Sequence, residues 1–332
     1  MEKYIITIDA GTSNTRAFLF DSKKRLLAEQ KRSVGVRNTA IDGSNNRLKA
    51  AVRDCLLDLL AEKSTDFTRV EKIIASGMIT SNLGLAEIPH ITAPCGVKEL
   101  AAANRELLLD DVSPVPICFI PGVKNFNAGS MEDLEFMDIM RGEETESCAL
   151  AAGYASGKPM LFVLPGSHTK FASVDGQGRI TGFLSAIGGE LLAAITTNTI
   201  LSDAVHSGYV KSGEYDKKAV LRGYDMAKKT GLSRACFSIR VMNLFINRSA
   251  AQAENFLLGA VLQTDLYALF HSGLTPGNED TAIIIAGKPP FEQALKDCIL
   301  HENSRLNVKC HPAGSIPLSA QGALLVADEL GI

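Results

Sequence analysis

Short apolar runs separated by glycine- and hydroxyl-rich bends are the main pattern in the first part of the chain. Tyr4 to Ile8 and Ala17 to Phe20 contain β-branched and aromatic residues and are bounded by turn formers, which is typical of buried strands. The bend between them, Asp9 to Thr15, is polar and contains Gly11. The pattern therefore predicts two adjacent strands joined as a hairpin.

The polar bend of this hairpin is suited to binding phosphate. Gly11 lets the backbone approach a ligand closely, and Arg16 adds a fixed positive charge. Side-chain donors beside the backbone N–H groups come from Thr12, Ser13, Asn14 and Thr15. A plain polar turn is the alternative interpretation. The segment lacks the Lys-Ser/Thr pair of a Walker loop and the three spaced glycines of a dinucleotide fingerprint.

A second copy of this pattern begins at half-chain spacing. Leu161 to Asp175 again runs from a strand through a Gly-hydroxyl bend and a basic residue into a second strand. Gly166 corresponds to Gly11, and Lys170 takes the place of Arg16. In both copies a polar turn leads to a predicted third strand. Two such hairpins indicate two similar α/β domains.

Apolar periodicity predicts further elements along the chain. Helices are predicted over 45–62, 250–270, 291–300 and 319–330, and strands over 72–75 and 281–286. Helices are also predicted to begin after the glycines Gly142 and Gly188. Asn125 to Phe136 is acidic and poorly periodic, which predicts an exposed loop.

The paired hairpins resemble those of the sugar kinase, heat-shock protein 70 and actin superfamily. The resemblance implies an α/β fold with two ribonuclease H-like (actin-like ATPase) domains and a nucleotide cleft between them. It implies a first domain over 1–155, with one phosphate hairpin and the sugar-acid site. The second domain would cover 156–332, with the other hairpin and the adenosine site, and its last helix would pack back across the junction.

Four motifs are similar to those of the 2-dehydro-3-deoxygalactonokinase family. They are Asp9 to Arg16 (DAGTSNTR), Ser76 to Gly84 (SGMITSNLG), Met140 to Glu146 (MRGEETE) and Pro165 to Lys170 (PGSHTK). This resemblance implies ATP- and Mg²⁺-dependent phosphorylation of 2-dehydro-3-deoxy-D-galactonate on its terminal (6-) hydroxyl, in galactonate catabolism. A kinase for the gluconate epimer, a phosphohydrolase of the exopolyphosphatase type and a noncatalytic ATP-driven switch are the alternatives.

A carboxylate in the MRGEETE motif is the predicted catalytic base. Glu143 and Glu144 fall in the first turn of a predicted helix, where the dipole favours carboxylates, so helix capping is the alternative. The resemblance implies that an acidic residue here receives the substrate hydroxyl proton. Adjacent helical residues project about 100° apart, so one glutamate faces the hydroxyl. We select Glu144, with Glu143 and Asp138 as rivals, and expect Asp9 to hold Mg²⁺ through water.

The resemblance also implies the binding residues. The expected ATP and phosphate contacts are Gly11, Thr12, Ser13, Asn14, Arg16, Gly166, Ser167, His168, Lys170 and Gly287. The expected substrate contacts are Ser81, Asn82, Arg141 and Glu190. The alternatives are a local salt bridge between Arg141 and Glu143, a structural hydrogen bond at His168, and a loop at Ser81 and Asn82 that binds no ligand.

Composition agrees with a soluble enzyme. The chain has 332 residues, 46% of them hydrophobic, which is enough to bury two cores. A net charge of −3 gives no support for nucleic-acid binding. No apolar run approaches the ~20 residues of a membrane helix, and no signal peptide is visible, so we expect a cytoplasmic protein without a membrane partner. Seven scattered cysteines indicate neither zinc nor disulfides. The oligomeric state stays open, a homo-oligomer included.

Overall fold

The computed structural model describes residues 3–125, 130–206, 209–246, 249–274 and 281–331. Their contacts divide the chain into two compact units. The first unit comprises Met1–Gly157, Gln177–Thr181 and Gly314–Ile332, and the second comprises Lys158–Gly176 and Gly182–Ala313. Each unit has a β-sheet with helices packed against it.

The first unit begins with the predicted hairpin and ends with a helix from the last part of the chain. Its strands are β1 (Tyr4–Ala10), β2 (Thr15–Asp21), β3 (Leu26–Arg32), β4 (Val70–Gly77), β5 (Ile91–Thr92), β6 (Arg105–Leu109), β7 (Ser113–Phe119), β8 (Val123–Lys124) and β9 (Ile139–Met140). Its helices are α1 (Val36–Asp42), α2 (Asn46–Glu62), α3 (Val97–Ala103), α4 (Glu143–Gly153) and, from the last part of the chain, α10 (Leu318–Glu329).

The main sheet of this unit has the strand order β3-β2-β1-β4-β7-β6. β1 pairs antiparallel with β2 and parallel with β4, and β4 pairs parallel with β7. Because side chains alternate along a strand, Ile6 and Ile8 join the apolar core that includes Leu48 and Val52 of α2. Asp9 therefore lies on the opposite face of the sheet, on which α10 contributes Ser319.

The second unit repeats this strand arrangement. Its sheet is formed by β10 (Met160–Leu164), β11 (Thr169–Val174), β12 (Ile180–Ala186), β13 (Ala282–Ile285) and β14 (Asn307–Cys310), although the first two residues of β12 are assigned to the first unit. Its helices are α5 (Gly188–Asn198), α6 (Lys217–Thr230), α7 (Leu232–Phe245), α8 (Ala250–His271) and α9 (Phe291–Glu302). The order β12-β11-β10-β13-β14 matches β3-β2-β1-β4-β7, with the same antiparallel hairpin and the same parallel neighbours. The predicted duplication is confirmed.

Close contact between α6 and α8 is made possible by glycine. A β-carbon at Gly259 would lie 1.8 Å from the carbonyl oxygen of Val220, and one at Gly223 would lie 1.8 Å from that of Phe256. The backbones of the two helices therefore touch. This contact fixes α8, which carries a carboxylate of the second phosphate hairpin, described below.

Most predicted elements are confirmed with boundary shifts of a few residues. The predicted exposure of Asn125 to Phe136 is confirmed for most of residues 130–136, but the predicted loop conformation is wrong there, because Met131–Phe136 forms a 3₁₀ helix. The Ser130 hydroxyl donates to Asp133 at 2.8 Å, and this contact stabilises the first turn. Phe126–Gly129, which also belong to the predicted loop, lie outside the described residues.

Candidate active site

The first phosphate hairpin joins β1 to β2 and exposes two of its hydroxyl residues, whereas Thr15 is buried and donates its hydroxyl to the Val34 carbonyl. The Gly11 N–H donates to the Asn14 carbonyl at 2.9 Å, which closes the bend and leaves Thr12 and Ser13 exposed. Gly35, just before α1, packs against this bend, since a β-carbon there would lie 2.4 Å from the Gly11 carbonyl oxygen. The sequence analysis missed Gly35, because nothing in its local pattern indicates a contact with the hairpin.

Asp9 is held by two donors on the same carboxylate oxygen. Arg16, its cross-strand partner, forms a salt bridge to Oδ2 at 2.5 Å. Ser319 of α10 donates its hydroxyl to the same Oδ2 at 3.2 Å. The Arg16 charge is therefore paired with Asp9 within the unit. The oxygen Oδ1 of Asp9 faces the backbone of Gly77 at the end of β4.

Two glycines bring the amino end of α4 beside Asp9. Gly77 has φ +87°, and a β-carbon there would lie 3.2 Å from Asp9 Oδ1 and 2.8 Å from the Ala10 carbonyl oxygen. Gly142, which precedes α4, has φ +109° and packs against the α-carbon of Gly77. Both backbone conformations favour glycine. The first turn of α4 therefore starts close to the end of β1.

The first turn of α4 carries carboxylates with different surroundings. Glu144 is fully buried, and its Oε2 accepts the Gly142 N–H at 2.7 Å. Its Oε1 has no hydrogen-bond partner among the described residues. Burial, and then the charge of Glu143, raise the pKa of Glu144 to about 8, so it is mostly protonated at neutral pH.

Glu143 and Glu146 lie three positions apart, on one face of α4. Both are partly buried. Burial raises the pKa of Glu146, as do the negative charges of Glu143 and Asp9, while Arg16 lowers it. Glu146 therefore lies within electrostatic range of the Asp9–Arg16 pair. The sequence analysis did not select Glu146, although its spacing from Glu143 is the signal that would have placed it there.

Arg141 is held by three partners in the first unit. Its guanidinium donates to the Thr80 hydroxyl at 2.6 Å and to the Ile88 carbonyl at 2.7 Å, and it lies 3.3 Å from Nδ1 of His90. Burial and the Arg141 charge lower the pKa of His90 to about 4, so His90 is neutral. These contacts fix the orientation of the Arg141 guanidinium.

The other predicted residues of the first unit lie in different surroundings. Ser81 is buried, and its hydroxyl donates to the Met78 carbonyl at 2.7 Å. Asn82 is exposed and lines an open groove of about 470 Å³ with Thr39, Ser44 and Asn45. Asp138 accepts the N–H of its neighbour Ile139 at 2.7 Å, just before β9.

The second phosphate hairpin, between β10 and β11, exposes Gly166, Ser167 and His168 at its tip. The Glu190 N–H of α5 donates to the Ser167 carbonyl at 3.0 Å. A β-carbon at Gly189 would lie 2.1 Å from the Gly166 carbonyl oxygen. His168 Nε2 lies 3.3 Å from Glu190 Oε1. The start of α5 thus supports this hairpin as Gly35 supports the first one.

The base of the second hairpin is buried. Lys170 is buried and donates to the Ser185 hydroxyl of β12. Its cross-strand partner is Leu164, at the position equivalent to Asp9. Thr169 points to the other face of the sheet and donates its hydroxyl to Asp265 of α8 at 2.8 Å. The sequence prediction for this helix includes no role for Asp265, although a carboxylate between Leu262 and Leu266 in its apolar pattern is a signal.

Gly287 lies directly against the second hairpin. A β-carbon at Gly287 would lie 2.4 Å from Cγ of Pro165, which precedes Gly166. The absence of a side chain at Gly287 therefore lets the chain after β13 pack against the end of β10.

No group of three or more His, Cys, Asp or Glu side chains is arranged to hold a metal ion in the described part of the chain. Within the same residues, no helix has the length and apolar character needed to span a bilayer.

Comparisons with solved structures support the actin-like fold class. A protein from Sinorhizobium meliloti, assigned as a 2-dehydro-3-deoxygalactonokinase, is 25% identical over 98% of each chain, with a TM-score of 0.73. Component A of the (R)-2-hydroxyglutaryl-CoA dehydratase of Acidaminococcus fermentans is 10% identical, covers 99% of each chain and has a TM-score of 0.52.

The activator of the 2-hydroxyisocaproyl-CoA dehydratase of Clostridium difficile, solved with bound ADPNP, is 11% identical over 99% of this chain and 96% of its own, with a TM-score of 0.51. The likeness to the two dehydratase components shows the fold alone.

The sequence comparisons identify the family. No curated protein matches the chain significantly. The model of the 2-keto-3-deoxy-galactonokinase family matches residues 9–313, which include the bends of both hairpins and the first turn of α4. The family is one of phosphotransferases with an alcohol acceptor, and the match does not favour an exopolyphosphatase. The chain belongs to the 2-keto-3-deoxy-galactonokinase family.

Proposed function

We propose that this protein transfers the γ-phosphoryl group of ATP to the 6-hydroxyl of 2-dehydro-3-deoxy-D-galactonate. The observation that carries the proposal is the position of Asp9, which is held by Arg16 and Ser319 beside the carboxylates of α4, in a chain of this family. Phosphoryl transfer depends mainly on positioning and charge neutralisation, which such an arrangement supplies. The reaction would serve galactonate catabolism in the cytoplasm.

Glu143 is the base that we propose for the substrate hydroxyl. Sequence reasoning selected Glu144, but the complete burial of Glu144 and its contact with the Gly142 N–H keep it away from an incoming hydroxyl. A general base must come within hydrogen-bond reach of the proton that it accepts. Glu143 is only partly buried, and it lies on the same face of α4 as Glu146, whose pKa is raised by the charge of Asp9. Glu144 and Asp138 remain the rivals in the test.

The two hairpins are the proposed phosphate-binding elements. In the first, exposed Thr12 and Ser13 would contact phosphate, with Gly11, Asn14 and Arg16 supporting the bend. In the second, the exposed residues Gly166, Ser167 and His168 would do so. Lys170, buried beneath that tip, would add positive charge. Gly287, packed against Pro165, would belong to the adenosine side of this site.

Mg²⁺ fits the donor set that Asp9 provides. Magnesium is commonly bound by one or two carboxylates together with waters and substrate phosphates, so a cage of protein ligands is not required. Two donors occupy Oδ2 of Asp9, and Oδ1 is the remaining oxygen for a metal-bound water. Bound there, the ion would neutralise charge on the phosphates.

The sugar acid is proposed to bind in the first unit. Asn82 lines the open groove that Thr39, Ser44 and Asn45 also border, and Ser81 shapes the loop that presents Asn82. Arg141, fixed by Thr80 and Ile88, is the proposed partner of the substrate carboxylate. In the second unit, Glu190 would contact the substrate while paired with His168.

ADP formation from Mg-ATP by the purified protein tests the proposal. We expect little turnover of ATP alone and strong stimulation by 2-dehydro-3-deoxy-D-galactonate, with a 6-phosphorylated product. The gluconate epimer and common hexoses are the matched controls. Equal stimulation by the gluconate epimer would contradict the proposed stereochemistry. A rate of ADP formation that is the same with and without each sugar acid would contradict the kinase assignment.

A further inference from the structure

The buried carboxylate of Asp265 joins three elements of the second unit. It accepts the Thr169 hydroxyl from β11 at 2.8 Å and the Gly188 N–H from the first position of α5. Gly188 has no room for a side chain, because a β-carbon there would lie 2.2 Å from Asp265 Oδ2 and 2.6 Å from Oδ1. The carboxylate thus lies directly against the backbone at the start of α5.

The cost of burying Asp265 indicates a specific role. Only 3% of the residue is exposed, and the nearby side chains Leu262 and Leu266 of α8 belong to the apolar core. A buried carboxylate is unfavourable unless its oxygens accept hydrogen bonds. Burial raises the pKa of Asp265 to about 6, so at neutral pH the carboxylate is mainly ionised and accepts hydrogen bonds from both partners.

Both partners of Asp265 are next to the exposed tip of the second hairpin. Thr169 follows His168 directly. Gly188 precedes Gly189 and Glu190, which contact the carbonyl groups of Gly166 and Ser167. A shift of Thr169 or of α5 would therefore change the position of the tip. Among the described residues, no hydrogen bond joins Asp265 to the exposed residues of the tip.

We propose that Asp265 is a positioning residue for nucleotide binding, which holds the second phosphate hairpin and the amino end of α5 in one fixed arrangement. This inference rests on the proposed function, in which the hairpin tip binds the phosphates of ATP. The hydroxyl proton of Thr169 is committed to Asp265, so Thr169 acts through the hairpin geometry rather than on phosphate.

Steady-state kinetics of Asp265→Asn test this role. We expect KM for ATP to rise about tenfold, the effect of one weakened hydrogen bond to a charged group. KM for the sugar acid and the identity of the product should stay unchanged. Thr169→Val should give the same increase, and Thr169→Ser, which keeps the hydroxyl, should restore a KM close to that of the wild type.

Asp297→Asn is the matched control. Asp297 is also buried in the second unit, but it accepts from Tyr215 and Lys217, away from the hairpin. This variant should lose thermal stability without a change in KM for ATP. If Asp265→Asn and Thr169→Val also lower stability and leave KM for ATP unchanged, the role of Asp265 is structural and the inference is wrong.

Calorimetric binding of ADP and of a nonhydrolysable ATP analogue, without sugar acid, separates this inference from the proposed function. Weaker nucleotide binding by Asp265→Asn would support the positioning role even if no sugar acid stimulated the wild type. Equal binding by both proteins would overturn it even if the wild type were an active kinase.

Discussion

Ser319 donates its hydroxyl to Oδ2 of Asp9 at 3.2 Å, although the two residues are 310 positions apart in the sequence. Ser319 is at the start of α10, and α10 packs closely on α4, since a β-carbon at Gly322 would lie 2.0 Å from the Thr145 carbonyl oxygen. One helix therefore contacts both the metal-binding candidate Asp9 and the helix that carries the proposed base.

Replacing Ser319 by alanine removes one of the two donors to Asp9. We expect kcat to fall about three- to tenfold, which corresponds to the loss of one hydrogen bond to a charged group. The salt bridge from Arg16 to Asp9 should remain in this variant. Initial-rate measurements check this prediction, with Ser315→Ala, an exposed serine of the same segment, as the control. Equal rates for both variants would show that Ser319 does not orient Asp9.

The roles of Glu143 and Glu144 in catalysis can be distinguished with isosteric glutamine variants. Glu143→Gln should lower kcat by about 10²- to 10⁴-fold, the usual contribution of a general base, with nucleotide binding nearly intact. Glu144→Gln should cost much less, because Glu144 is already mostly protonated. Single-turnover rates with saturating substrates make the comparison. The opposite ranking would return the role to Glu144, and full activity of both variants would leave Asp138 as the candidate.

Glu144 should also make stability depend on pH. The folded protein raises its pKa from 4.5 to about 8, so the stabilising contribution of the protonated form is complete below about 4.5 and is lost as pH rises through about 8. In the Glu144→Gln variant, stability does not fall in this way as pH rises, because the glutamine side chain does not titrate. Its free energy of unfolding should therefore increase relative to that of the wild type between about pH 5 and about pH 8.5.

Urea unfolding of both proteins over this pH range measures the difference. The raised pKa of Glu146 adds a slope of the same sign to both proteins, so the comparison isolates Glu144. Parallel pH profiles would mean that Glu144 has an ordinary pKa in the folded state.

Gly189 should be essential for the second hairpin. In Gly189→Ala the new methyl group would meet the Gly166 carbonyl oxygen at 2.1 Å, so the hairpin or α5 must shift. We expect weaker ATP binding together with a stability loss of about 1–3 kcal/mol, the usual cost of overpacking. Gly213→Ala is the control, because no atom lies within 4 Å of its β-carbon position. Nucleotide titration and thermal unfolding of both variants give the result.

Local patterns were sufficient to predict much of the fold. The hairpins, α2 and the start of α4 follow from apolar spacing and turn residues that are close in sequence. The same patterns do not report contacts between distant segments. Gly35, Ser319 and Asp265 reach the two hairpins only through tertiary packing, and each belongs to a residue type that is common in turns, caps and surfaces.

The sequence does not predict which of Glu143 and Glu144 has its side chain in the protein interior. Helical geometry predicts that the two side chains diverge, but it does not say which one faces the interior. That direction is fixed by Gly142, whose φ of +109° sets the start of α4 and whose N–H binds Glu144.

The position of α10 has a consequence for synthesis of the protein on the ribosome. Residues up to Gly157 are translated first, whereas α10, which belongs to the same unit, is made only after the entire second unit. At about 5–20 residues per second, the delay is on the order of ten seconds. During that time Asp9 lacks Ser319, and α4 lacks the helix that covers it. A nascent chain can therefore form its first sheet early, but it acquires the complete Asp9 site only after α10 has been made.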